Sequence, residues 1–283
     1  MVASSARRYL VPSPSLRLSE QRDDEFTMAV KIEILQLGRV LGDSSFEVKG
    51  HDPGNIISVR CVCYLIHGLP EGLVLVDSGF RSPEIMETIG MRTVVQEGEG
   101  LEAELARRSI RVADIRYLLH THLHIDHAGK DDLFPFTTTV IMNRSELASA
   151  AGGLASWAYP QQDMKHLIDR VYTKDAARLL DVQKSAPVEI FDGIAVEYAG
   201  GHSTGSINIL VDTSDGVANI CGDVVYNIER QYVNPFQETA LNEPRISGNT
   251  VQSQRDEKAA IKRIFNKYDW VRSEERRVGK ECQ

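Results

Sequence analysis

The chain has 283 residues, 42% of them hydrophobic, with 32 Lys and Arg against 40 Asp and Glu for a net charge of −8. That length suits one substantial α/β core, and no apolar run approaches the ~20 residues that a bilayer crossing needs. The acidic balance, without a Lys/Arg track, argues against a reader of phosphate backbones.

From the start of the chain, residues 1–28 hold Ser, Pro and Arg and then an acidic cluster at 23–25. They lack the 7–15-residue apolar core of a secretory signal, and are expected to be a disordered leader or a misassigned start ahead of Met28. Strands are expected at 32–37, 59–67, 73–76, 117–119, 138–142, 194–198, 207–211 and 217–221, and helices at 83–89, 101–108, 144–151, 164–171 and 257–265. Cys61 and Cys63 share one strand face and are poorly placed to bridge, so a reduced, cytoplasmic protein is the simplest reading. Cys221 reads as a small buried hydrophobe, and Arg107, Arg108 and Arg111 as a solvated helix end.

One stretch concentrates chemistry. After the apolar Tyr117-Leu118-Leu119 comes Thr121-His122-Leu123-His124-Ile125-Asp126-His127-Ala128-Gly129. Neutral imidazole nitrogens and carboxylate oxygens suit zinc and its first-row neighbours. If this segment leaves a strand as a loop, His122 and His124 can point to one metal, and Asp126 and His127 to a second. The plain alternative is a polar loop with chance histidines. His120 alternates with His122, and either faces the site or serves as a structural hydrogen-bonder. His51, His67 and His166 have no partner spacing and read as surface or structural.

The pattern His-x-His-x-Asp-His followed by Ala-Gly resembles the signature of the metallo-β-lactamase fold hydrolases. Two later segments resemble that family's further ligand loops: Gly201-His202-Ser203-Thr204-Gly205, and Asp223 after Ala218-Asn219-Ile220-Cys221-Gly222. Leu73-Val74-Leu75-Val76-Asp77-Ser78-Gly79 resembles its strand ending in Asp-Ser/Thr-Gly, with Asp77 behind the ligands, orienting them and the turn. The resemblance runs from about Leu35 to Trp270, in the family's order. It implies an α/β architecture, an αββα sandwich of two mixed sheets flanked by helices, which the run of early strands and later alternation suits. It also implies two Zn(2+) per subunit, or Mn, Fe or Co in their place. His122, His124 and His202 would form one site; Asp126, His127 and a bridging Asp223 would contribute to the other. A hydroxide shared by the metals would attack a polarised carbonyl and the same charge would steady the oxyanion, with Asp126 delivering a proton to the leaving alkoxide.

Within the family, segment order and lengths most resemble the quorum-quenching N-acyl homoserine lactonases. The opening Leu37-Gly38-Arg39 with Asp43-Ser44-Ser45, the helical insertion at 144–180 and Tyr226, three residues after Asp223, carry this likeness. Tyr226 either hydrogen-bonds the developing oxyanion or packs half-buried beside the site. Leu154, Trp157, Ala158 and Tyr159 are candidate walls of an acyl groove, or plain core or lid. The expected partner is a small lactone or ester, with no nucleic acid and no membrane, and the protein a monomer or homodimer.

The rivals are a glyoxalase II-like thioesterase, which normally brings a C-terminal helical region, and a single-iron dioxygenase. A β-lactamase rarely pairs Asp126 with an aspartate at the bridging position, and a flavo-diiron protein has glutamate where His124 stands. The family pattern also expects a histidine just beyond 271. The chain has 8 histidines, none after His202, and 272–283 reads like translated sequencing adapter. The hydrolase domain is therefore expected to span 29–271, with its second metal site weakened; a fragment inactivated by that loss is the remaining alternative.

Overall fold

The computed structural model describes residues 30–153, 155–184, 186–233, 243–249, 253–272 and 277–279. The expected leader, Leu154 and most of 272–283 lie outside the described residues. The strands are β1 (Lys31–Asp43), β2 (Ile56–His67), β3 (Leu73–Val76), β4 (Arg92–Val94), β5 (Ile115–Leu119), β6 (Thr139–Asn143), β7 (Ala177–Leu180), β8 (Val188–Phe191), β9 (Ile194–Tyr198), β10 (Ile207–Thr213), β11 (Gly216–Ile220), β12 (Trp270–Arg272) and β13 (Arg277–Gly279). The helices are α1 (Ser44–Glu47), α2 (Pro83–Glu87), α3 (Leu101–Arg107), α4 (Arg144–Ala151), α5 (Gln161–Val171) and α6 (Gln254–Lys267).

One sheet has the order β4-β1-β2-β3-β5-β6-β7, the other β13-β12-β11-β10-β9-β8. In the first, β4, β1, β2 and β3 pair antiparallel, while β3, β5, β6 and β7 run parallel. In the second, only β11 and β12 are parallel. Both sheets are mixed, and helices cover their outer faces, so the expected αββα sandwich is the observed architecture.

Strict alternation of side chains builds these layers. From β2, Val62, Tyr64 and Ile66 join Val74, Val76, Leu119 and Ile141 against Val196, Ile209 and Ile220 of the opposite sheet. The intervening Cys61, Cys63 and Leu65, with Leu75, Leu118, Val140 and Met142, pack on Met86, Leu101, Leu105, Leu147 and Leu167 from the helices. Strands buried on both faces read as continuous apolar runs, which is why 59–67 and 73–76 stand out in the sequence. On the far side, α6 buries Ala260, Ile261, Ile264 and Phe265 beside Val271, Cys221 and Val224. Its start is set by Ser253, whose hydroxyl accepts from the Asp256 N–H.

Four of the described strands, β1, β4, β7 and β8, depart from expectation. β1 is longer than 32–37, and β4 and β8 pair at sheet margins with few residues and weak alternation. β7 lies in the stretch expected to be a helical insertion, which holds α4 and α5 and then returns to the sheet edge. Arg107, Arg108 and Arg111 are not simply solvated: they pair with Glu104, with Glu33 and Glu104, and with Asp114.

This topology gathers the ends of β3, β5, β9 and β11. Asp77 N–H donates to Leu119 O (3.1 Å), and Ile207 N–H donates to Thr121 O (2.9 Å), joining the two sheets at the loop after β5. Gly201 sits at φ +91° with Glu257 of α6 pressed against it; a Cβ there would lie 2.4 Å from the Glu257 Cβ and 2.6 Å from its backbone N. Both the left-handed backbone and the close approach require glycine. Gly201→Ala is therefore expected to cost about 2–4 kcal/mol of stability, measurable by denaturant unfolding of the metal-free protein. A loss below about 0.5 kcal/mol, the range of an ordinary surface change, would contradict this packing.

Candidate metal centre

The loop after β5 folds back on itself through the His127 and Ala128 N–H groups, which donate to His124 O at 2.9 and 3.0 Å. Ser78 N–H donates to His127 O at 2.7 Å, pinning the turn to the end of β3. Gly129 completes this contact, since a Cβ would fall 2.6 Å from Arg81 N and from Ile125 O. The loops after β9 and β11 deliver His202 and Asp223 to the same place.

His202 Nε2 lies 3.1 Å from His122 Nε2 and 3.0 Å from His124 Nδ1. The Asp223 carboxylate faces this group through Oδ2, 3.3 Å from His202 Nε2 and 3.8 Å from His122 Nε2. Its other oxygen, Oδ1, lies 3.0 Å from His127 Nε2, which is itself 3.9 Å from Asp126 Oδ1. Two ligand groups result, His122/His124/His202/Asp223 and Asp126/His127/Asp223, sharing one carboxylate. The structure thus brings together all six residues singled out as ligands.

Their electrostatics fit cations. Burial lowers His124 to about 4 and His202 to about 3, and pushes His122 well below its usual value, with neighbouring imidazoles adding to the last. Neutral rings whose nitrogens converge at about 3 Å cannot all donate to one another. The Nδ1 of His202 and Oδ1 of Asp223 are buried without a hydrogen-bond partner, although the latter keeps its ion-pair contact with His127. A tetrahedral ion with arms of ~2.0–2.1 Å has ligand–ligand edges of about 3.3 Å, close to the observed spacings. The residues therefore fit a metal of the zinc type.

The second group is charged differently. Although burial opposes it, the Asp223, Asp126 and Asp77 carboxylates hold His127 protonated, well above the usual imidazole range. Asp126 is raised to about 6, by burial and then by Asp223, against the pull of His127. Asp223 itself is held low by His127 and His202 despite its burial.

Asp77 stands behind the ligands, as expected. Its Oδ2 accepts from His127 Nδ1 (2.9 Å) and Thr121 Oγ1 (2.8 Å), and its Oδ1 from Thr121 N–H (2.9 Å). Its φ of +61° is the strained, left-handed backbone that this arrangement demands. Burial disfavours its charge, yet His127 and His120 keep it at about 2. His120 has turned away from the metal groups: Nε2 lies 2.8 Å from Asp131 Oδ2 and Nδ1 3.3 Å from Asp77 Oδ1. It is the structural hydrogen-bonder of the two readings. Burial opposes its charge, but Asp131 and Asp77 raise it to about 9. Because the folded value lies above the unfolded one, its contribution to stability is complete below about pH 6.5 and is lost as pH rises through about 9. The Asp77 contribution runs the other way, complete above about pH 3.8 and lost as pH falls through about 2.

Tyr226 is buried, its hydroxyl donating to Asp223 Oδ2 and accepting from Asn249 Nδ2 at 2.6 Å. A cleft opens over the ligands, with Phe46, Ile89, Met91, Ile125, Trp157 and Ala158 on its walls and Asp126, Asp223 and Asn249 below. Trp157, 54% exposed, stands at its rim. Tyr159 takes the core alternative of its two readings: it lies behind His124, its ring 5.0 Å from the imidazole and its hydroxyl donating to Glu146. Ala158 lines the cleft, and its carbonyl accepts from Ile125 N–H (2.8 Å). His67 pairs with Glu33 and His166 accepts from Arg170, both outside the centre. Glu146, Asp131 and Asn249 were not anticipated. Each looks like an ordinary polar residue of a helix start or loop, and only the fold brings it to the site.

A family model described as the metallo-beta-lactamase superfamily matches residues 58–263. The chain is 25% identical over 209 residues to an N-acyl homoserine lactonase of Bacillus cereus, covering 70% of this chain and 77% of that protein. A solved N-acyl homoserine lactone hydrolase, with the product N-hexanoyl-L-homoserine at its catalytic metal center, superposes with a TM-score of 0.65 at 21% identity, covering 84% of this chain and 89% of the other. AidC, a dizinc quorum-quenching lactonase, superposes with a TM-score of 0.61 at 15% identity, covering 87% of each chain.

The charge states lead to a measurable asymmetry in metal uptake. At pH 7 the three-histidine group is already deprotonated and should load with almost no proton release, whereas the Asp126/His127/Asp223 group should release about one proton, chiefly from His127. Calorimetric titration with Co(2+) in buffers of different ionisation heat reads this number. Equal release at both steps would contradict the assignment.

Proposed function

The chain belongs to the metallo-beta-lactamase superfamily, and we propose that it is a metal-dependent hydrolase that opens the ring of N-acyl homoserine lactones. The observation that carries this reading is the double ligand group sharing Asp223 at the floor of an apolar cleft. The similarity to lactonases in sequence and in fold supports the substrate class. We assign two zinc ions to the centre, the three-histidine group with Asp223 binding more firmly because it offers four ligand residues to the other's three. When bound, such ions supply a water-derived nucleophile near neutral pH and polarise the carbonyl under attack.

The chain's own residues do the rest. Phe46, Ile89, Met91 and Trp157 offer apolar surface to an acyl chain, removing it from water and fixing the lactone over the centre. Tyr226 holds the shared carboxylate through its hydroxyl, and in this reading the same phenol steadies the developing oxyanion. Asp126 lines the cleft with a side chain 24% exposed, so it can take a proton and return it to the departing alkoxide. Among the described residues no helix is long and apolar enough to cross a membrane.

Ring opening of N-hexanoyl homoserine lactone followed by pH-stat tests the reading. The zinc-loaded chain should turn over, chelation should abolish activity, and Tyr226→Phe should lower kcat by about 10–100-fold, the cost of losing a group that holds a metal ligand. Turnover that survives metal removal would sink the proposal. Cleavage of an acyl thioester with no action on the lactone would move the assignment to the thioesterase class.

A further inference from the structure

We infer that Glu146 is a positioning residue that sets the distance between the two loops forming the three-histidine group. Its side chain, 1% exposed in the first turn of α4, reaches between those loops. Oε1 accepts from Leu123 N–H (3.2 Å) and Tyr159 Oη (2.9 Å); Oε2 accepts from Ser203 Oγ (2.8 Å) and Gly205 N–H (2.8 Å). Leu123 lies between His122 and His124, and Ser203 follows His202. One carboxylate thus holds the backbone that carries each half of the group.

The surroundings leave little slack. A Cβ on Gly205 would fall 2.2 Å from Glu146 N, so the His202 loop rests directly on the helix start. Asn143, three residues earlier, donates from Nδ2 to Gly205 O at 3.0 Å. Tyr159, held by the same Oε1, lays its ring 5.0 Å from that of His124. The segment 143–146, directly and through Tyr159, therefore braces His124 and His202, whose facing nitrogens are 3.0 Å apart.

Each oxygen of Glu146 meets one fixed backbone N–H and one hydroxyl. Only a carboxylate accepts at both ends. In Glu146→Gln, the NH2 end must oppose either Leu123 N–H or Gly205 N–H, releasing one loop while keeping shape and volume. Groups that orient metal ligands from behind typically change affinity by 10–100-fold when replaced.

This inference rests on the reading that the cluster holds cations, and the test separates the two. Co(2+) affinity is measured by visible absorption on the full chain, together with melting temperatures with and without excess Co(2+). For Glu146→Gln we expect affinity at the three-histidine group to fall by about 10–100-fold, narrowing the gap between loaded and metal-free melting temperatures by about 3–10 °C. A residue with a merely structural role lowers both temperatures in parallel; an unchanged gap and affinity would overturn the inference. Should Glu146→Gln fail to fold, Ser203→Ala removes one donor from Oε2 and keeps the charge. A narrowed gap there supports the role, and an unchanged one overturns it. A wild-type chain with neither cobalt absorption nor a melting gap refutes the cation reading itself, and this inference falls with it.

Discussion

Four buried imidazoles around one carboxylate impose the constraint to which the surrounding structure answers. Burial strips water from rings that cannot satisfy one another, and each orphaned polar atom costs roughly 1–3 kcal/mol. One such atom, His202 Nδ1, remains without a hydrogen-bond partner at the centre. The chain tolerates this by giving the groups behind the centre more partners than usual. Asp77 receives three bonds at 2.8–2.9 Å from Thr121 and His127, and Glu146 receives four from separate residues. Rigid support of this kind is what holds ligands in place for a metal before the metal arrives.

The layers of support differ in charge as well as in place. The three-histidine group is neutral because burial outweighs every other influence on His122, His124 and His202. His127, only a few residues away, is cationic because three carboxylates overcome the same burial. Behind it, the contact of His120 with Asp131 and Asp77 forms a buried ionic relay linking the ligand loop to the turn after it. Removing one partner of such a pair leaves an uncompensated buried charge, a strongly destabilising change, which suits a turn that must present His124, Asp126 and His127 in one orientation.

How much of this was legible in the sequence depended on whether the signal was local. The ligand cluster at 122–127 was plain because histidine is scarce and its spacing is chemical. The β2 and β3 strands were plain because double-sided burial leaves unbroken apolar runs. Asp77 could be placed behind the ligands only through the resemblance of its Asp-Ser-Gly turn. By contrast, β4 and β7 are short strands at sheet margins whose pairing is decided by tertiary contact rather than by pattern. Glu146 was illegible for a similar reason: a glutamate in a first helical turn is ordinary, and its four partners come from three distant segments. For Tyr159 the sequence left a groove wall and plain core both open, and its hydroxyl, drawn inward by Glu146, makes it core.

The division of ligands between the sheets has a mechanical side. His122, His124, Asp126 and His127 hang from the first sheet, His202 and Asp223 from the second, and the backbone bond from Ile207 to Thr121 and the bonds of Asn143 and Glu146 to Gly205 tie the two nearby. An ion gripped by both sets would act as a buckle across the seam, resisting sliding of one layer over the other. Each sheet could keep its own ladder intact while such a slip of an ångström or two undid the buckle. Loss of the centre would then be among the earliest events as the sandwich loosens, ahead of any melting of secondary structure.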